Sequence, residues 1–244
     1  MANKQCAAII VAGGVGTRMN TPIKKQLMML CGKPVLTHTL LAFERHSEID
    51  GIILVVPGGA TGEISSAAVA PYCFGKIWAT VEGGANRQGS VLAGLKALET
   101  LPFLQMVDWV LVHDGVRPLV TSKAISDVIA CVRQGGCAIS GVRTKDTIKV
   151  TDENNLVRET SPRECTWVVQ TPQAFPYRLL IKAHEQALRD GFTGTDDSVL
   201  AERLNAQVQM VEGDYSNIKL TTPEDMLIAE ALMKIALNIP KSQS

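Results

Sequence analysis

The sequence predicts an α/β fold in which helices flank a mostly parallel central sheet. Three observations favour this class: short apolar runs alternate with helical patterns, hydrophobic residues make up 46% of the chain, and aromatic residues make up only 5%. Aliphatic side chains must therefore fill the core, as they do where helices cover a parallel sheet. The alternation itself indicates β-α-β units with right-handed crossovers.

Continuous apolar runs predict the strands, because a strand buried on both faces needs no polar side. Turn signals bound these runs: Pro57 and two glycines stop the second of them. We expect strands at Ala7–Val11, Ile52–Val56, Ile77–Val81, Trp109–Val112, Cys137–Val142 and Gln207–Val211.

Apolar residues at helical spacing predict the helices. The first begins at Pro34, which suits a first helical turn, and another is capped by Ser122. The last begins with Thr222 as its cap and Pro223 after it. Further helices are expected after Gly83-Gly84 and through Leu98, over Tyr177–Arg189 and over about Asp196–Leu204.

The alternation is interrupted near Arg143 by a pattern typical of a β-hairpin. The segments Thr147–Val150 and Leu156–Thr160 flank a polar turn. Such an arm has little to bury against its own chain, so we expect a partner subunit to cover it; a hairpin folded back onto the body is the alternative. Without a repeat or linker, the simplest organisation is one domain over residues 1–244 with an arm at about 143–166.

Charge and cysteine content limit the classes of function. The 24 basic and 24 acidic residues cancel, which argues against a general nucleic-acid or membrane-surface role. No run is long enough for a membrane-spanning helix or a secretory leader. The six cysteines lack zinc-site spacing, so we expect reduced thiols and a cytoplasmic protein.

Basic residues dominate the beginning of the chain. No acid precedes Glu44, whereas five basic residues do: Lys4, Arg18, Lys24, Lys25 and Lys33. A cationic region in a neutral protein indicates a small anionic ligand.

A glycine-rich loop follows the first predicted strand, where Ala12 leads into Gly13, Gly14 and Gly16. Glycine permits positive φ and close approach of the backbone, so successive N–H groups can converge on phosphate oxygens. Open α/β sheets bind ligands at the carboxyl ends of their strands. The sequence therefore predicts a phosphate-binding loop, with a simple tight turn as the alternative.

Two familiar phosphate-binding motifs do not fit this loop. A dinucleotide fingerprint needs a third glycine and a later acid, but Met19 occupies that position and the first acid is Glu44. A Walker A loop needs Gly-Lys-Ser/Thr, which does not occur. The loop instead carries Arg18, with Lys25 seven residues later, and such cations can stabilise charge developing on a triphosphate under attack.

At this loop and at six further motifs, in the same order, the chain resembles the cytidylyltransferases of the non-mevalonate isoprenoid pathway. The resemblance covers nearly the whole chain and implies a Rossmann-like nucleotidyltransferase sandwich with a protruding β-hairpin arm. The motifs are Gly13–Met19 followed by Lys25-Gln26, then Gly83–Val91, His113–Pro118, Asp146-Thr147, Gln170–Gln173, Thr195–Asp197 and Asn217–Thr221.

The resemblance implies transfer of CMP from CTP to 2-C-methyl-D-erythritol 4-phosphate, with Mg²⁺ or another divalent cation accompanying CTP. The segments Thr195–Asp197 and Thr221–Asp225 favour this acceptor. A ribitol-5-phosphate cytidylyltransferase and, in another class, a catalytically silent nucleotide-binding protein are the alternatives. The missing acid after the loop excludes a nicotinamide oxidoreductase.

The resemblance also implies residue roles. Three cations would hold the triphosphate and stabilise the transition state: Arg18, Lys25 and Lys219. The residues expected at CTP are Ala12, Gly13, Gly14, Gly16, Gly83, Gly84, Ser90 and Asp114. Those expected at the acceptor phosphate are Arg117, Thr147, Arg163, Thr171 and Thr195.

Several of these positions have simpler readings. Ser90 could be a helix-start hydroxyl, Asp114 a turn former and Lys219 a solvated surface group, and His113 is expected to be structural. The family often has Pro-Lys-Gln where this chain has Lys24-Lys25-Gln26, so the choice between the two lysines rests on spacing, which favours Lys25. Thr147 and Arg163 lie on or beside the arm, which in the family reaches across a dimer.

Overall fold

A seven-stranded sheet forms the centre of the computed structural model, which describes residues 4–13, 24–102 and 106–238. The main sheet contains β1, β4, β5, β6, β7, β10 and β11, and two small two-stranded sheets pair β2 with β3 and β8 with β9. The strands are β1 (Gln5–Val11), β2 (Met29–Leu30), β3 (Lys33–Pro34), β4 (Gly51–Val56), β5 (Ile77–Glu82), β6 (Val107–Asp114), β7 (Cys137–Arg143), β8 (Lys149–Thr151), β9 (Val157–Thr160), β10 (Trp167–Pro176) and β11 (Val208–Glu212).

Helices connect most strands of the main sheet. In chain order they are α1 (Val35–Glu44), α2 (Thr61–Ile64), α3 (Arg87–Glu99), α4 (Ser122–Arg133), α5 (Tyr177–Arg189), α6 (Asp197–Glu202) and α7 (Pro223–Asn238). In the parts of the chain that the structure describes, none of them combines the length and apolar character needed to cross a membrane.

The main sheet has the order β11-β7-β10-β6-β1-β4-β5 and is mostly parallel, as predicted. Strands β6, β1, β4 and β5 are parallel neighbours, and β11 is parallel to β7. Only β10 is antiparallel to both of its neighbours, β6 and β7. In register, Val11 of β1 lies beside Val55 of β4 and Asp114 of β6, so the carboxyl ends of three strands meet at one edge.

The core lies in two layers because side chains alternate across a strand. From β1, Ala8 and Ile10 pack on one face of the sheet, in the cluster that includes α1 and α4 residues. Ala7 and Ile9 pack on the opposite face, in the cluster that includes α3 and α5 residues. Aliphatic residues dominate both layers, which is the core that the composition predicts.

The predicted strands and helices are present, one helix cap differs, and four elements were not predicted: β2, β3, β10 and α2. The cap of α4 is Thr121 rather than Ser122, because the Thr121 hydroxyl accepts the Ala124 N–H at 3.1 Å. Strand β10 was not predicted, because polar residues from Gln170 to Gln173 interrupt its apolar run. Those residues are buried all the same, with hydrogen bonds that satisfy them.

Strands β8 and β9 form the predicted hairpin, which we call the arm. Every residue of both strands is exposed, including Val150 at 47% and Val157 at 57%. Leu156, in the turn between the strands, is 63% exposed. The arm therefore protrudes, and its apolar side chains are left uncovered by the described residues of its own chain.

Candidate active site

A cleft opens where the carboxyl ends of β1 and β6 meet the amino end of α3. We call it the main cleft, and its lining includes many of the predicted site residues: Ala12, Gly13, Lys25, Gly84, Ser90, Asp114 and Lys219. A second, adjoining cleft is lined by Arg117, Thr171 and Thr195 and shares Arg87, Asp114 and Lys219 with the main cleft. The fold thus gathers residues from distant parts of the sequence at one edge of the sheet.

Gly13 and the Gly83-Gly84 turn pack closely along one wall of the main cleft. A Cβ on Gly83 would lie 2.5 Å from the Ser90 hydroxyl oxygen, and one on Gly13 would lie 3.1 Å from the same atom. A Cβ on Gly84 would lie 2.9 Å from the backbone of Gly89 in the first turn of α3. Ser90 donates its hydroxyl to the Asn86 carbonyl at 2.9 Å, as a helix-start hydroxyl does.

The amino end of α3 is directed at this cleft. Asn86 caps the helix by accepting the Gly89 N–H at 2.7 Å, and Asn86 and Arg87 both line the cleft. The unpaired N–H groups of a helix amino end carry partial positive charge and attract phosphate. The turn and the helix therefore form a wall suited to an anionic ligand.

The structure separates the two neighbouring lysines. Lys25 lines the main cleft, whereas the Lys24 ammonium lies 2.5 Å from Glu63, a residue of α2. The buried side chain of Gln26, the residue after Lys25, donates to the Ala12 carbonyl at 2.9 Å. This hydrogen bond holds the segment with the two lysines against the end of β1. The predicted residues Gly14, Gly16 and Arg18 lie outside the described residues.

Asp114, at the end of β6, is the centre of a cluster of cations. Its Oδ2 lies 3.1 Å from Lys219 Nζ and 3.2 Å from Arg117 Nε, and its Oδ1 lies 3.4 Å from Arg87 Nε. Burial alone would raise the pKa of this carboxyl, but Lys219, Arg87 and Arg117 outweigh burial and hold the pKa well below its usual range. Asp114 is therefore ionised and gathers three cations, of which Arg87 and Lys219 line both clefts and Arg117 lines the adjoining one.

A buried hydrogen-bond chain fixes the backbone around Asp114. The Asp114 N–H donates to Thr171 Oγ1 at 3.1 Å, and that hydroxyl lies 3.0 Å from His113 Nδ1. His113 Nε2 lies 3.2 Å from the Arg117 carbonyl, which can only accept, so Nε2 carries the proton and Nδ1 accepts from Thr171. Burial lowers the pKa of His113 to about 4.

This chain gives His113 the structural role expected of it. The Thr171 hydroxyl accepts the Asp114 N–H and donates to His113 Nδ1, although Thr171 also lines the adjoining cleft.

Arg87 is a site residue to which the sequence analysis gave no role. Its NH1 lies 2.7 Å from Asp197 Oδ2, while its Nε reaches Asp114, so one guanidinium bridges two carboxylates. Burial acts to lower the pKa of Arg87, but Asp197 and Asp114 raise it above its usual value. Arg87 and Asp197 both stand in the quoted motifs, and a signal was present: the arginine follows a glycine turn and a cap residue directly.

Thr147 and Arg163, two of the predicted acceptor residues, lie apart from both clefts. Arg163 NH2 donates to Thr147 Oγ1 at 3.2 Å, and both residues are exposed at the base of the arm. Neither lines the main or the adjoining cleft of its own chain. The two are therefore brought together with each other, but not with the rest of the predicted site.

Metal-binding side chains are sparse. Over the described ranges 4–13, 24–102 and 106–238, no three His, Cys, Asp or Glu residues are grouped so that they could hold a metal ion. The carboxylate on the floor of the clefts, Asp114, already has three cationic neighbours. These residues do not form a ready cage for a divalent ion.

An α/β sheet with a glycine- and cation-lined cleft at the carboxyl ends of its strands defines a nucleotidyltransferase of the Rossmann-like type. The family model described as "IspD: 2-C-methyl-D-erythritol 4-phosphate cytidylyltransferase" matches residues 6–235. The chain belongs to this family. The predicted family, fold class and enzyme class are confirmed.

Relatives and solved structures agree with this assignment. A 2-C-methyl-D-erythritol 4-phosphate cytidylyltransferase from Geobacter metallireducens is 45% identical over 93% of this chain and 97% of its own. The 4-diphosphocytidyl-2C-methyl-D-erythritol synthase structure from Anaerococcus prevotii has a TM-score of 0.82 at 34% identity and covers 95% of this chain and 97% of its own. A Thermus thermophilus 2-C-methyl-D-erythritol 4-phosphate cytidylyltransferase structure has a TM-score of 0.73 at 31% identity, covering 93% and 98%.

Proposed function

We propose that this chain transfers CMP from CTP to 2-C-methyl-D-erythritol 4-phosphate, giving 4-diphosphocytidyl-2-C-methyl-D-erythritol and pyrophosphate. One observation carries the proposal: in a member of this family, Lys25, Lys219, Gly13 and Gly84 line a single cleft. The acceptor phosphate attacks the α-phosphorus of CTP in line, and pyrophosphate leaves.

Catalysis in this site consists of positioning and charge neutralisation. The attacking phosphate is anionic near neutral pH, so no strong general base is needed. The main obstacle is to bring two anions together, and fixed cations aimed at the oxygens that gain charge lower that barrier. We assign this role to Arg18, Lys25 and Lys219.

Lys219 is placed where it can contact a phosphate without leaving the Asp114 cluster. Its ammonium lies 3.1 Å from Asp114 Oδ2, and 37% of its side chain is exposed. An ammonium carries three N–H donors, so it can contact a nearby phosphate oxygen while it keeps the carboxylate. Arg117 contacts the same carboxylate oxygen at 3.2 Å and helps to hold it in place.

The glycine wall is assigned to the nucleoside. Gly13, Gly83 and Gly84 allow the backbone to approach the cytosine and ribose closely. The Ser90 oxygen donates to Asn86, and its lone pairs remain able to accept the cytosine amino group. We assign Ala12 and the loop residues Gly14 and Gly16 to the phosphates.

A divalent ion, Mg²⁺ in our proposal, accompanies CTP. Mg²⁺ keeps several waters and binds substrate phosphates rather than all-protein cages, which suits the sparse carboxylates of this site. When bound, the ion neutralises part of the charge on the triphosphate. The residues of this chain then hold the phosphates and bring the acceptor into line.

The acceptor is assigned to the adjoining cleft and to the arm of a second copy. Arg117, Thr171 and Thr195 line that cleft, next to the shared Asp114 and Lys219. Thr147 and Arg163 complete the site of the neighbouring subunit in a cytoplasmic homodimer of single-domain chains. The uncovered apolar residues of the arm support this dimer, because a partner would bury them: Ile148, Val150, Leu156 and Val157.

Pyrophosphate release tests the proposal. The assay contains CTP and Mg²⁺ with either 2-C-methyl-D-erythritol 4-phosphate or ribitol 5-phosphate, and ATP replaces CTP as a control. We expect turnover with CTP and the methylerythritol phosphate alone. Turnover only with ribitol 5-phosphate would contradict the assigned acceptor. Absence of turnover with either acceptor would favour a nucleotide-binding protein without this activity.

A further inference from the structure

A buried pair of polar residues lies behind the main cleft and has no part in the mechanism above. His184 of α5 has no exposed surface, and its Nε2 lies 3.0 Å from Oδ1 of Asp197, which is 1% exposed. Neither residue lines the main or the adjoining cleft. Burying such a pair is costly unless each group is well paired, so its presence asks for an explanation.

The pair is connected to the cleft through Arg87. The second oxygen of Asp197 lies 2.7 Å from Arg87 NH1, and Arg87 Nε lies 3.4 Å from Asp114 Oδ1. The other oxygen of Asp114 holds the Lys219 ammonium. A continuous series of polar contacts thus runs from α5 through α6 and α3 to the cation that faces the substrate.

Fixing the helices against each other does not require this pair. An exposed ion pair, Asp190 with Arg203 at 2.9 Å, already joins the ends of α5 and α6. The buried pair differs in that Asp197 binds a residue of the cleft wall. A planar guanidinium can bridge two carboxylates on separate elements, and it fixes the plane of each one.

We propose that His184 and Asp197 act as positioning residues that hold Arg87 and thereby set the orientation of the Asp114 carboxylate and the resting place of Lys219. The inference rests on the proposed function, because the place of Lys219 matters only if CTP reacts in this cleft. His184 donates from Nε2 to Asp197, Asp197 orients the guanidinium, and the guanidinium orients Asp114. Loss of any member lets the ammonium drift from the position that the reaction needs.

Asp197→Asn and Arg87→Lys are the principal test variants. Asp197→Asn keeps the shape of the side chain but removes its charge. Arg87→Lys keeps the positive charge but removes the planar guanidinium that bridges Asp114 and Asp197. Misplacing a catalytic group by about 1 Å costs up to about 100-fold, so we expect each variant to lower kcat about 10-fold or more, with the KM for CTP within about threefold. Asp190→Asn, which breaks the exposed bridge between the same two helices, is the matched control and should stay within about twofold.

A double-variant comparison separates positioning from mere stability. In a Lys219→Met background, Asp197→Asn should lower the residual kcat by less than about twofold. If Asp197 acts through Lys219, the effects of the two substitutions are not additive. His184→Gln, which retains an N–H donor, should keep kcat close to wild type, whereas His184→Leu should lower it about 10-fold. All rates are taken where circular dichroism shows each variant folded, and Arg87→Lys carries the test if Asp197→Asn does not fold.

Two results would overturn the inference. One is an equal loss of kcat in Asp197→Asn and Asp190→Asn, and the other is a full additional loss from Asp197→Asn when Lys219 is already methionine. The wild-type assay is run first, since an inactive wild type contradicts the proposed function, whereas an active wild type with indifferent variants contradicts only this positioning role.

Discussion

The main cleft and the arm are built on opposite principles. Around Asp114, three cations, a histidine and a threonine are fixed by contacts between 2.7 and 3.4 Å, mostly out of solvent. On the arm, Arg163 and Thr147 share one exposed hydrogen bond, and Val157 is 57% exposed. The cleft is preorganised by its own chain, whereas the arm is left uncovered by the described residues of its own chain.

This difference has a consequence for function. Preorganised charges stabilise a transition state because they need no rearrangement at the moment of reaction. An exposed arm can complete a site only after a partner orders and covers it. We therefore expect changes in the cleft to act on the chemical step, and changes in the arm to act on acceptor binding and assembly.

The largest effect is expected from the two adjacent lysines. Lys25→Ala should lower kcat about 100-fold or more, because it removes a fixed charge that acts on the transition state, with a much smaller change in CTP affinity. Lys24→Ala, whose partner is Glu63 outside the cleft, is the control and should leave kcat nearly unchanged. Pyrophosphate release under saturating CTP measures both, and comparable loss of kcat and CTP affinity in Lys25→Ala would contradict its role.

A pH effect on stability should follow from His113. Burial lowers its pKa to about 4 in the folded chain, against about 6.5 when unfolded, so the unfolded state binds the extra proton first. Stability is therefore complete above about pH 6.5 and falls by up to about 3 kcal/mol as the pH drops to about 4.

Urea unfolding at several pH values between 4 and 7.5 measures this slope. His113→Asn is the control, because it cannot titrate and should show a flatter profile even if it is less stable throughout. Burial also lowers the pKa of His38, which remains in both proteins, so the difference between the two profiles reports His113. Parallel profiles for the two proteins would contradict the claim that His113 causes the loss of stability at low pH.

A smaller kinetic effect is expected from the arm. Arg163→Ala should lower kcat/KM for the methylerythritol phosphate about 10- to 100-fold, since a hydrogen bond to a charged group contributes about 1.5–3 kcal/mol. The KM for CTP should not change. Arg158→Ala, whose partner Asp152 is on the same hairpin, is the matched control and should be close to wild type.

The smallest effect on the folded chain is expected at the tip of the arm. Leu156→Ser should change the free energy of unfolding by less than about 0.5 kcal/mol, because the side chain is 63% exposed. It should nevertheless weaken self-association, which analytical ultracentrifugation measures across a dilution series. An unchanged association constant would argue that the arm tip is not at the interface.

The same contrast explains what could be predicted from the sequence. Strands β1 and β4 are continuous aliphatic runs, and α5 has strong helical spacing, so their existence follows from local pattern. Strand β10 does not, because the polar residues Gln170–Gln173 are buried only through partners supplied by distant elements. Local sequence carries no record of those partners.

The candidate site divides in the same way. The resemblance identified Lys25, Asp114 and Lys219, which the fold then gathers at one cleft. The role of Arg87 was missed because it depends on Asp197, a residue far along the chain whose proximity exists only in the folded protein. Arg87 and Asp197 both lie in motifs quoted above, but a motif alone does not show which of its residues contact each other.

The central claim is that cleft and arm from different subunits form one active site, and subunit complementation tests it most directly. Heterodimers of Lys219→Met and Arg163→Ala subunits, isolated through two different affinity tags, would contain one intact site of the two if the arm acts on its neighbour. We expect about half of the wild-type pyrophosphate release per dimer, because a two-fold dimer has two equivalent sites. Activity no higher than the mean of the two single variants, or failure to recover any heterodimer, would contradict the claim.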